Sequence, residues 1–229
     1  MKNVLITGAG RGIGLAAARL FIEKKFSVIG LDREFSADFP PGTQRVVYDL
    51  TDLAGIPALI ARLGRIDALV NNAGIQNAVP IERYTEAQRD RILRVNLEAP
   101  VELIRAVSKQ MLACHGGRIV NVASVAAYTA HTDLWYGVTK AGVVSFTRSF
   151  ASFLGPHVIQ VNAVAPGPID TELLKNAQPE RVEQLMKQVY TRRAGRPEEV
   201  AEVIRWLAAD APPTVNGAVI DVTDGCFLR

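Results

Sequence analysis

Short apolar runs that alternate with amphipathic segments constrain the fold of this chain more than any other feature. Runs typical of buried strands lie at residues 3–7, 26–31, 45–50, 66–74, 117–124, 158–167 and 217–222. Helical spacing of apolar residues predicts helices from residue 12 onward and over 53–63, 85–95, 97–115, 134–154, 170–190 and 197–209. This alternation predicts an α/β fold, in which helices cover both faces of a doubly wound, mostly parallel sheet of about seven strands.

Length and composition narrow the class of protein further. The 229 residues suit one domain, predicted over 1–229, and 48% hydrophobic with 21% charged residues is ordinary for a globular protein. A net charge of +3, with no aromatic residues interleaved in its densest basic stretch, argues against a nucleic-acid partner. No apolar run approaches ~18 residues, so we expect no membrane span. The two cysteines lack metal-ligand spacing, which predicts reduced thiols, no metal site and a cytoplasmic location.

The stretch TGAGRGIG at residues 7–14 connects the first predicted strand to the first predicted helix. The spacing of Gly8, Gly12 and Gly14 matches neither the P-loop nor the G-x-G-x-x-G pattern. A helix start offers unpaired N–H groups and a positive dipole end, and glycines let a phosphate approach the backbone closely. We therefore predict that a dinucleotide pyrophosphate binds here, with an unliganded glycine-rich turn as the simpler alternative.

A carboxylate at the end of the second predicted strand bears on the choice of dinucleotide. Asp32 lies near the position, roughly 20 residues downstream of the loop, where an acid accepts the ribose hydroxyls of NAD. Because a 2′-phosphate would face this carboxylate, we predict NAD rather than NADP. Arg11 and Arg33 favour the alternative, since either could pair with that phosphate. Asp49 adds a second carboxylate at the predicted end of the third strand.

The stretch YGVTK places Tyr136 and Lys140 four residues apart on one face of a predicted helix. A free tyrosine titrates near ~10 and is a poor base at neutral pH. An ammonium about 4 Å away contributes roughly 4 kcal/mol towards the phenolate at an effective dielectric constant of ~20. The pair therefore predicts a tyrosine whose pKa is lowered for acid–base chemistry, although an ordinary surface pair would show the same spacing.

Further polar residues follow the predicted strands or lie between predicted helices. Ser124 ends the fifth strand, Asn96 lies at a helix junction, and Thr171 follows the sixth strand, where it could hold a carboxamide. NNAG at 71–74 ends the fourth strand. Because ligands bind beyond the carboxyl ends of parallel strands, we expect these groups to meet in one crevice.

Together these motifs resemble those of the short-chain dehydrogenase/reductase family over essentially the whole chain. The matching residues are Thr7-Gly8, Gly12, Gly14, Asn71-Asn72-Ala73-Gly74, Asn96, Ser124, Tyr136, Lys140 and Pro166-Gly167. The resemblance implies a Rossmann fold and a hydride transfer between a nicotinamide cofactor and a secondary alcohol or ketone.

The resemblance also implies a role for each member of a catalytic tetrad. Tyr136 would exchange the proton of the substrate hydroxyl, and Ser124 would orient the substrate oxygen. Lys140 would lower the pKa of the tyrosine and bind the nicotinamide ribose, and Asn96 would hold a water in a proton relay.

The motifs and the resemblance predict the residues of two binding sites. The cofactor residues are Gly8, Arg11, Gly12, Ile13, Gly14, Asp32, Asp49, Leu50, Asn72, Ala73, Gly74, Tyr136, Lys140, Pro166, Gly167, Ile169 and Thr171. The substrate residues are Gln76, Ser124, His131 and Tyr136, and a segment around 170–195 is predicted to cover the substrate. For His131, a solvent-facing loop position is the alternative.

The predicted substrate is a small-molecule polar or cyclic secondary alcohol, or the matching ketone. NNAGIQ resembles the same stretch in 3-hydroxybutyrate dehydrogenases, which use that glutamine on a carboxylate. Asp133 stands where those enzymes place a lysine, and a carboxylate there would repel an acid substrate.

An NAD-dependent alcohol dehydrogenase is thus the leading hypothesis, and an NADPH-dependent carbonyl reductase is the alternative. A non-catalytic dinucleotide sensor is less favoured, because a sensor has no need of Ser124, Tyr136 and Lys140 together. The resemblance also implies a homo-oligomer, a tetramer or a dimer. Apolar residues on many faces of the helix at 134–154 indicate either a subunit interface or a buried helix.

Overall fold

The predicted parallel sheet is present and contains seven strands. Their bounds are β1 Asn3–Thr7, β2 Ser27–Asp32, β3 Gln44–Val47, β4 Ala68–Asn71, β5 Gly117–Val122, β6 Ile159–Pro166 and β7 Val219–Val222. They lie in the order β3-β2-β1-β4-β5-β6-β7, and every adjacent pair is parallel. The computed structural model describes residues 1–77, 79–176 and 179–228, and these form a single doubly wound α/β domain.

Eight α-helices connect the strands in the described ranges. They are α1 Gly12–Glu23, α2 Ile56–Arg62, α3 Glu86–Leu93, α4 Ala99–Ala113, α5 Leu134–Leu154, α6 Glu172–Lys175, α7 Pro179–Gln188 and α8 Pro197–Ala209. A π-helical segment, Arg94–Glu98, joins α3 to α4. Short 3₁₀ turns occupy Ile81–Arg83, Val125–Ala127 and Gly155–His157. No helix of the described residues combines the length and the apolar character needed to cross a membrane.

The sheet is buried on both faces, which explains why its strands are continuous apolar runs. Val4 and Ile6 of β1 pack in a core with α1 and α8, whereas Leu5 packs in a second core with α2 and α4. Side chains alternate between the faces of a strand, so a strand covered on both sides needs apolar residues at every position.

The strand order reverses beside β1, which has β2 as one neighbour and β4 as the other. In doubly wound sheets the ligand crevice lies at such a reversal, beyond the carboxyl ends of the strands. The glycine loop at 7–14, the end of β4 and the residues after β5 therefore lie at the same edge of the sheet.

A buried polar row fastens α5 to the sheet. The amide Nδ2 of Asn71 donates to Oδ1 of Asn121 at 2.9 Å, and Nδ2 of Asn121 donates to Oγ1 of Thr147 at 2.9 Å. All three side chains are buried. Because an unpaired buried amide is costly, this row specifies how the long helix sits on β4 and β5.

The structure corrects several predicted bounds. β3 ends at Val47 rather than at residue 50, because Oδ1 of Asp49 accepts hydrogen bonds from Thr51 N and Oγ1 and closes a turn. β5 ends at Val122, so Ser124 lies two residues beyond the strand instead of terminating it. The single helix predicted over 170–190 is two helices, α6 and α7, and Ala177 and Gln178 lie outside the described residues.

Candidate active site

The glycine loop forms a tight cradle at the start of α1. Gly8 and Gly12 have positive φ angles of 64° and 55°, which disfavour other residues. A Cβ on Gly14 would lie 2.0 Å from the carbonyl oxygen of Gly8, so the helix start and the loop are in direct contact. The N-cap residue Arg11 makes no side-chain hydrogen bond to the start of α1, so the first N–H groups of this helix can serve an anion. These features fit the pyrophosphate of a dinucleotide.

The motif at the end of β4 holds this loop in place. The side-chain Nδ2 of Asn72 donates to the carbonyl oxygens of Thr7 and Gly8, at 3.0 and 3.1 Å. The hydroxyl oxygen of Thr7 accepts from the backbone N–H groups of Asn72 and Ala73, both at 3.0 Å. Asn72 and Ala73, predicted to contact cofactor, thus also join the glycine loop to β4.

Asp32 lies at the end of β2 and contacts the glycine loop. Its Oδ2 accepts from Gly10 N at 2.8 Å, and its Oδ1 accepts from Arg33 N at 2.7 Å. Both arginines that could bind a 2′-phosphate contact carboxylates instead: Arg11 pairs with Glu172 at 2.7 Å, and Arg33 lies 3.4 Å from Asp49. These pairs are exposed, so they hold the arginines only weakly.

The remaining predicted cofactor residues lie around the same crevice, with one difference. Thr171 lies beside the loop, its Cγ2 3.3 Å from the position of a Cβ on Gly12. The residues after β6 include half-buried Gly167 and buried Ile169, and Ile13 is half-buried on α1. Leu50, in contrast, is buried in the core beside α2, so its side chain packs inside the domain.

Helix α5 brings Tyr136 and Lys140 together, as their spacing predicts. Lys140 Nζ lies 5.5 Å from the centre of the Tyr136 ring and donates to the carbonyl oxygen of Val122 at 2.7 Å. Both residues are buried, with exposed fractions of 9% for Tyr136 and 4% for Lys140. A Cβ on Gly74 would lie 3.4 Å from Lys140 Nζ and 3.6 Å from Asn96 Oδ1, so the turn after β4 borders the tetrad.

Burial dominates the pKa values of this pair. Burial raises the pKa of Tyr136, the negative charge of Asp133 raises it further, and a hydrogen bond with Ser124 opposes this. Burial lowers the pKa of Lys140 to about 8. The sequence predicts a lowered pKa for Tyr136, whereas the structure gives a raised one, because removing the phenolate from water outweighs the favourable contacts.

Asn96 lies in the π-helical segment, where the continuous helix from α3 to α4 changes its hydrogen-bonding register. Its Oδ1 accepts from Ile75 N, and its Nδ2 donates to Ile75 O, both at 2.8 Å. Nδ2 also donates to Thr139 Oγ1 at 3.2 Å. π-helical turns are frequent at functional sites, and here the turn directs a buried amide toward α5 and the loop after β4.

Ser124 is the N-cap of the 3₁₀ turn that follows β5. Its Oγ accepts from Ala126 N at 3.1 Å and also forms the hydrogen bond with Tyr136. The hydroxyl is thus fixed next to the phenol, although Ser124 lies outside the strand. Ser124, Tyr136, Lys140 and Asn96 therefore meet where the crevice reaches the start of α5.

Comparisons with known proteins identify the family of this chain. Residues 8–226 match the family model described as enoyl-(acyl carrier protein) reductase. The chain is 35% identical to a 3-oxoacyl-[acyl-carrier-protein] reductase of Thermotoga maritima, over 99% of this chain and 98% of that protein. It is 40% identical to galactitol 2-dehydrogenase of Agrobacterium fabrum, over 75% of this chain and 72% of that protein.

A solved structure described as an NAD(P)-dependent gluconate 5-dehydrogenase of Beutenbergia cavernae, with NADP bound at low occupancy, is also similar. It has a TM-score of 0.92 and 33% identity, and the match covers 98% of this chain and 96% of that one. The chain belongs to the short-chain dehydrogenase/reductase family. It is therefore an oxidoreductase by family, and the resemblance of its motifs is confirmed.

In this short-chain dehydrogenase/reductase, His131 lies beside Tyr136, and Gln76 contacts the segment predicted to cover the substrate. The His131 ring lies 4.9 Å from the Tyr136 ring, centre to centre, and burial lowers the pKa of His131. Its half-buried position disfavours the solvent-facing alternative. Gln76 Nε2 donates to Leu173 O at 3.2 Å and so links the loop after β4 to the segment predicted to cover the substrate.

The structure corrects the prediction that Asp133 faces an acid substrate. Asp133 is 2% exposed, and backbone N–H groups of Asn77 and Tyr136 donate to its two carboxylate oxygens. The charge therefore points into the protein rather than into the crevice. An N-cap was readable from the sequence, because an aspartate immediately precedes the predicted helix.

Two further contacts near the site were not predicted. Thr139, buried between Tyr136 and Lys140 along α5, donates from Oγ1 to Tyr136 O at 2.8 Å and accepts from Asn96. The rings of Tyr128 and Phe227 stack at 5.2 Å, which brings the turn after β7 onto the loop after Ser124. Helical spacing could have indicated Thr139, but no local signal connects residues 128 and 227.

Across the described ranges, no group of three His, Cys, Asp or Glu residues could hold a metal.

Proposed function

We propose that this short-chain dehydrogenase/reductase transfers a hydride between NAD(H) and a secondary alcohol or ketone, with Tyr136 as the general acid and base. The observation that carries the proposal is the meeting of Ser124, Tyr136, Lys140 and Asn96 beside Gly74. A dinucleotide held at the glycine loop would place its nicotinamide end in the same crevice as this group. A sensor that only bound a dinucleotide would not need a buried tyrosine, lysine and serine at this point.

Each residue has a distinct task in the proposed reaction. When bound, the nicotinamide accepts the hydride in oxidation or supplies it in reduction. Tyr136 exchanges the proton of the substrate oxygen, and Ser124 fixes that oxygen by a hydrogen bond. Lys140 provides positive charge next to the phenol, whose raised pKa must fall before it can act as a base. Asn96 holds the loop at Ile75 against the tetrad and is proposed to support a water-mediated proton relay.

NAD is proposed as the cofactor because of Asp32. Its carboxylate is fixed at the end of β2 by the N–H groups of Gly10 and Arg33. A 2′-phosphate beside this carboxylate would be repelled, whereas the exposed pairs of Arg11 and Arg33 with acids are weak and do not decide the choice.

Calorimetric titration of the purified protein with NADH and with NADPH tests this assignment. We expect tighter binding of NADH in the wild type. Asp32→Asn keeps an acceptor for Gly10 N but removes the charge, so it should improve NADPH binding and leave NADH binding similar or weaker. Equal or tighter NADPH binding by the wild type would contradict the assignment, and binding of neither cofactor would contradict the enzyme hypothesis.

An NADPH-dependent carbonyl reductase is the second candidate. The similar 3-oxoacyl-[acyl-carrier-protein] reductase and the NADP in the gluconate 5-dehydrogenase structure favour it. In that case Arg11 and Arg33 would exchange their carboxylate partners for the phosphate. The titration above separates the two candidates, and tighter NADPH binding would direct the substrate screen to ketones.

A polar secondary alcohol is the proposed substrate class. The similarity to galactitol 2-dehydrogenase and to a gluconate 5-dehydrogenase supports it, as does the His131 ring beside Tyr136. Because Asp133 is buried, the argument against an acid substrate no longer holds, and the screen should include galactitol, gluconate and a neutral cyclic alcohol. Turnover should disappear in Tyr136→Phe while NADH binding stays, and retained turnover would contradict the role of Tyr136.

A homo-oligomer, either a dimer or a tetramer, is also proposed. Much of the apolar surface of α5 is used within the domain, since Val143 and Val144 are buried and Phe146 and Phe150 pack against the cores. Phe153 remains 72% exposed near the end of α5 and is the residue best placed for a subunit contact. Light scattering at micromolar concentration tests this, and a monomer would contradict it. The cytoplasmic location stays a prediction.

A further inference from the structure

Asp133 is a buried carboxylate whose charge has no partner of opposite sign. It is 2% exposed, and no Lys, Arg or His forms an ion pair with it in the part of the chain that the structure describes. A buried charge normally costs free energy unless it is paired, so an unpaired one next to a candidate active site requires a reason.

Backbone N–H groups from two separate segments stabilise the charge. Oδ1 of Asp133 accepts from Tyr136 N at 3.1 Å and caps α5, while Oδ2 accepts from Asn77 N at 2.5 Å. The positive end of the 21-residue helix α5 adds to this stabilisation. The carboxylate therefore bridges the start of the catalytic helix and the loop that follows β4.

Of the two bridged segments, α5 carries Tyr136 and Lys140, and the loop after β4 contacts Asn96 of the π-helical segment. Asn77 lies two residues after Ile75, whose backbone pairs on both sides with the Asn96 amide. Tyr136 lies three residues after Asp133 on α5. A second connection runs through Asn96, whose Nδ2 donates to Thr139 Oγ1 one turn further along α5, so the loop is joined to α5 indirectly there as well. With both connections, the loop at 75–77 and the bound Asn96 cannot shift along the helix that carries Tyr136 and Lys140.

The surroundings of Asp133 extend this bridge. Asp133 N donates to His131 Nδ1 at 3.1 Å, and the His131 ring packs against the Tyr136 ring. The side chain of Asn77 donates to the hydroxyl of Tyr84, which also hydrogen-bonds to Asp133. The carboxylate is thus the common acceptor of groups from three segments around Tyr136.

We propose that Asp133 is a positioning residue that locks the loop at 75–77 onto the start of α5 and thereby sets the distance between Asn96 and Tyr136. The inference rests on the proposed function, because it assigns a purpose to the placement of Tyr136. A simple helix cap would need only the bond to Tyr136 N. The bond to Asn77 N is the part specific to positioning.

Two variants separate the bridge from the cap. Asp133→Asn keeps an oxygen that can accept from Tyr136 N, but its NH₂ group then faces Asn77 N and cannot accept a hydrogen bond from it. Asp133→Ser can still cap the helix, but its side chain is too short to reach Asn77. Hydrogen exchange of individual amides should be at least about tenfold faster at Asn77 in both variants, because a bond to a charged acceptor is lost. Exchange at Tyr136 should change much less.

Thr85→Ala is the matched control. It removes the N-cap of α3, where Thr85 Oγ1 accepts from Gln88 N, and it does not touch the loop at 75–77. It should lower the melting temperature as a lost cap does, without faster exchange at Asn77.

Kinetics complete the test, with NADH affinity measured by calorimetry and turnover measured on the best alcohol of the wild-type screen. We expect kcat to fall about tenfold or more in Asp133→Asn and Asp133→Ser, with NADH affinity within about twofold of the wild type. Unchanged exchange at Asn77 would overturn the bridge, and unchanged kcat with faster exchange would overturn its positioning role. A wild type that binds NADH but turns over nothing would contradict the proposed function, while the exchange result would still decide whether the bridge exists.

Discussion

The two sides of the crevice are held by different kinds of interaction. On the cofactor side, Asn72 and Thr7 connect the glycine loop to β4 through hydrogen bonds to backbone groups. On the other side, the segment at 170–176 and 179–195 is held largely by exposed contacts, such as the ion pair of Lys175 with Asp170. Helix α7 buries none of its residues.

This difference indicates how the crevice works. Hydrogen bonds of the buried Thr7 and half-buried Asn72 side chains to backbone groups fix a single geometry, whereas exposed ion pairs contribute little and open easily. We therefore expect a preformed dinucleotide site facing a substrate cover that adjusts to its ligand. The following predictions, from the largest expected effect to the smallest, test that contrast.

Gly14→Ala should have the largest effect, because it acts on the rigid side. The added Cβ would lie 2.0 Å from Gly8 O and 2.6 Å from Asn72 Nδ2, and neither the loop nor the amide can move without breaking its bonds. We expect NADH affinity to fall by about 100-fold or more, together with a loss of stability of about 1–3 kcal/mol from overpacking. Gly64→Ala is a control in which the Cβ meets open space but the positive φ angle of 74° strains the backbone, so it should lower stability without changing NADH affinity. Normal NADH affinity in Gly14→Ala would show that the cradle is not rigid.

Lys140→Met should reveal the free energy that burial of the Lys140 ammonium costs at the point where the two sides of the crevice meet. The folded pKa of Lys140 is lowered from 10.5 to about 8, so between these values the unfolded chain binds more protons than the folded one. Wild-type stability should therefore rise with pH over that window, by about 3 kcal/mol, relative to Lys140→Met, which has no such group. Below pH 8 the full penalty is present in the wild type.

Urea unfolding of both proteins from pH 7 to 10.5 measures this difference. A constant difference in the free energy of unfolding across the window would show that Lys140 is not buried as described. The variant should also lose turnover, because the charge beside Tyr136 is removed.

Phe227→Ala should affect the substrate side moderately. The stacked ring of Tyr128 loses its partner, and an aromatic pair contributes about 0.5–1.5 kcal/mol beyond its buried area. We expect KM for the alcohol to rise several-fold, with NADH affinity unchanged, as measured by steady-state kinetics and calorimetry. Phe227→Tyr keeps the ring and should behave like the wild type. Weaker NADH binding in Phe227→Ala would show that the two sides are not independent.

Glu172→Gln should have the smallest effect. The bond of Glu172 to Arg11 joins the cover to the glycine loop, but the side chains are 64% and 72% exposed. The free energy of unfolding should change by about 0.5 kcal/mol or less, and the small difference should vanish at 1 M salt. A larger, salt-independent loss of unfolding free energy would mean that the segment at 170–176 and 179–195 is bound more strongly than its exposed contacts indicate.

The sequence predicts well those features that are set by the periodicity of apolar residues. Helices α5 and α8 occupy the predicted residues 134–154 and 197–209, because long periodic segments bury a continuous apolar face. The place of the glycine loop after β1 and the meeting of Tyr136 with Lys140 also follow from local patterns. These features depend on backbone periodicity, which a sequence displays directly.

The sequence predictions are wrong where side-chain hydrogen bonds determine the local path of the backbone. The hydroxyl of Ser124 caps a turn beyond β5, and the carboxylate of Asp49 closes a turn beyond β3, so both strands end early. The inward orientation of Asp133 depends on Asn77, a residue 56 positions away. Such contacts between distant segments leave no periodic signal, and the stacking of Tyr128 on Phe227 is a further case.

The π-helical segment at Arg94–Glu98 has a consequence for how this chain can change in length. A π turn accommodates one residue more than an α-helical turn, and each residue rotates a helix by about 100°. Deleting one residue there would restore a regular α-helix while keeping its hydrogen bonds. It would also rotate Asn96 relative to α4, whose Leu103 and Val107 are buried in the core. Either Asn96 would lose its hydrogen bonds to Ile75, or Leu103 and Val107 would lose their packing in the core. A deletion that keeps the helix regular would therefore still remove a contact that the site or the core needs.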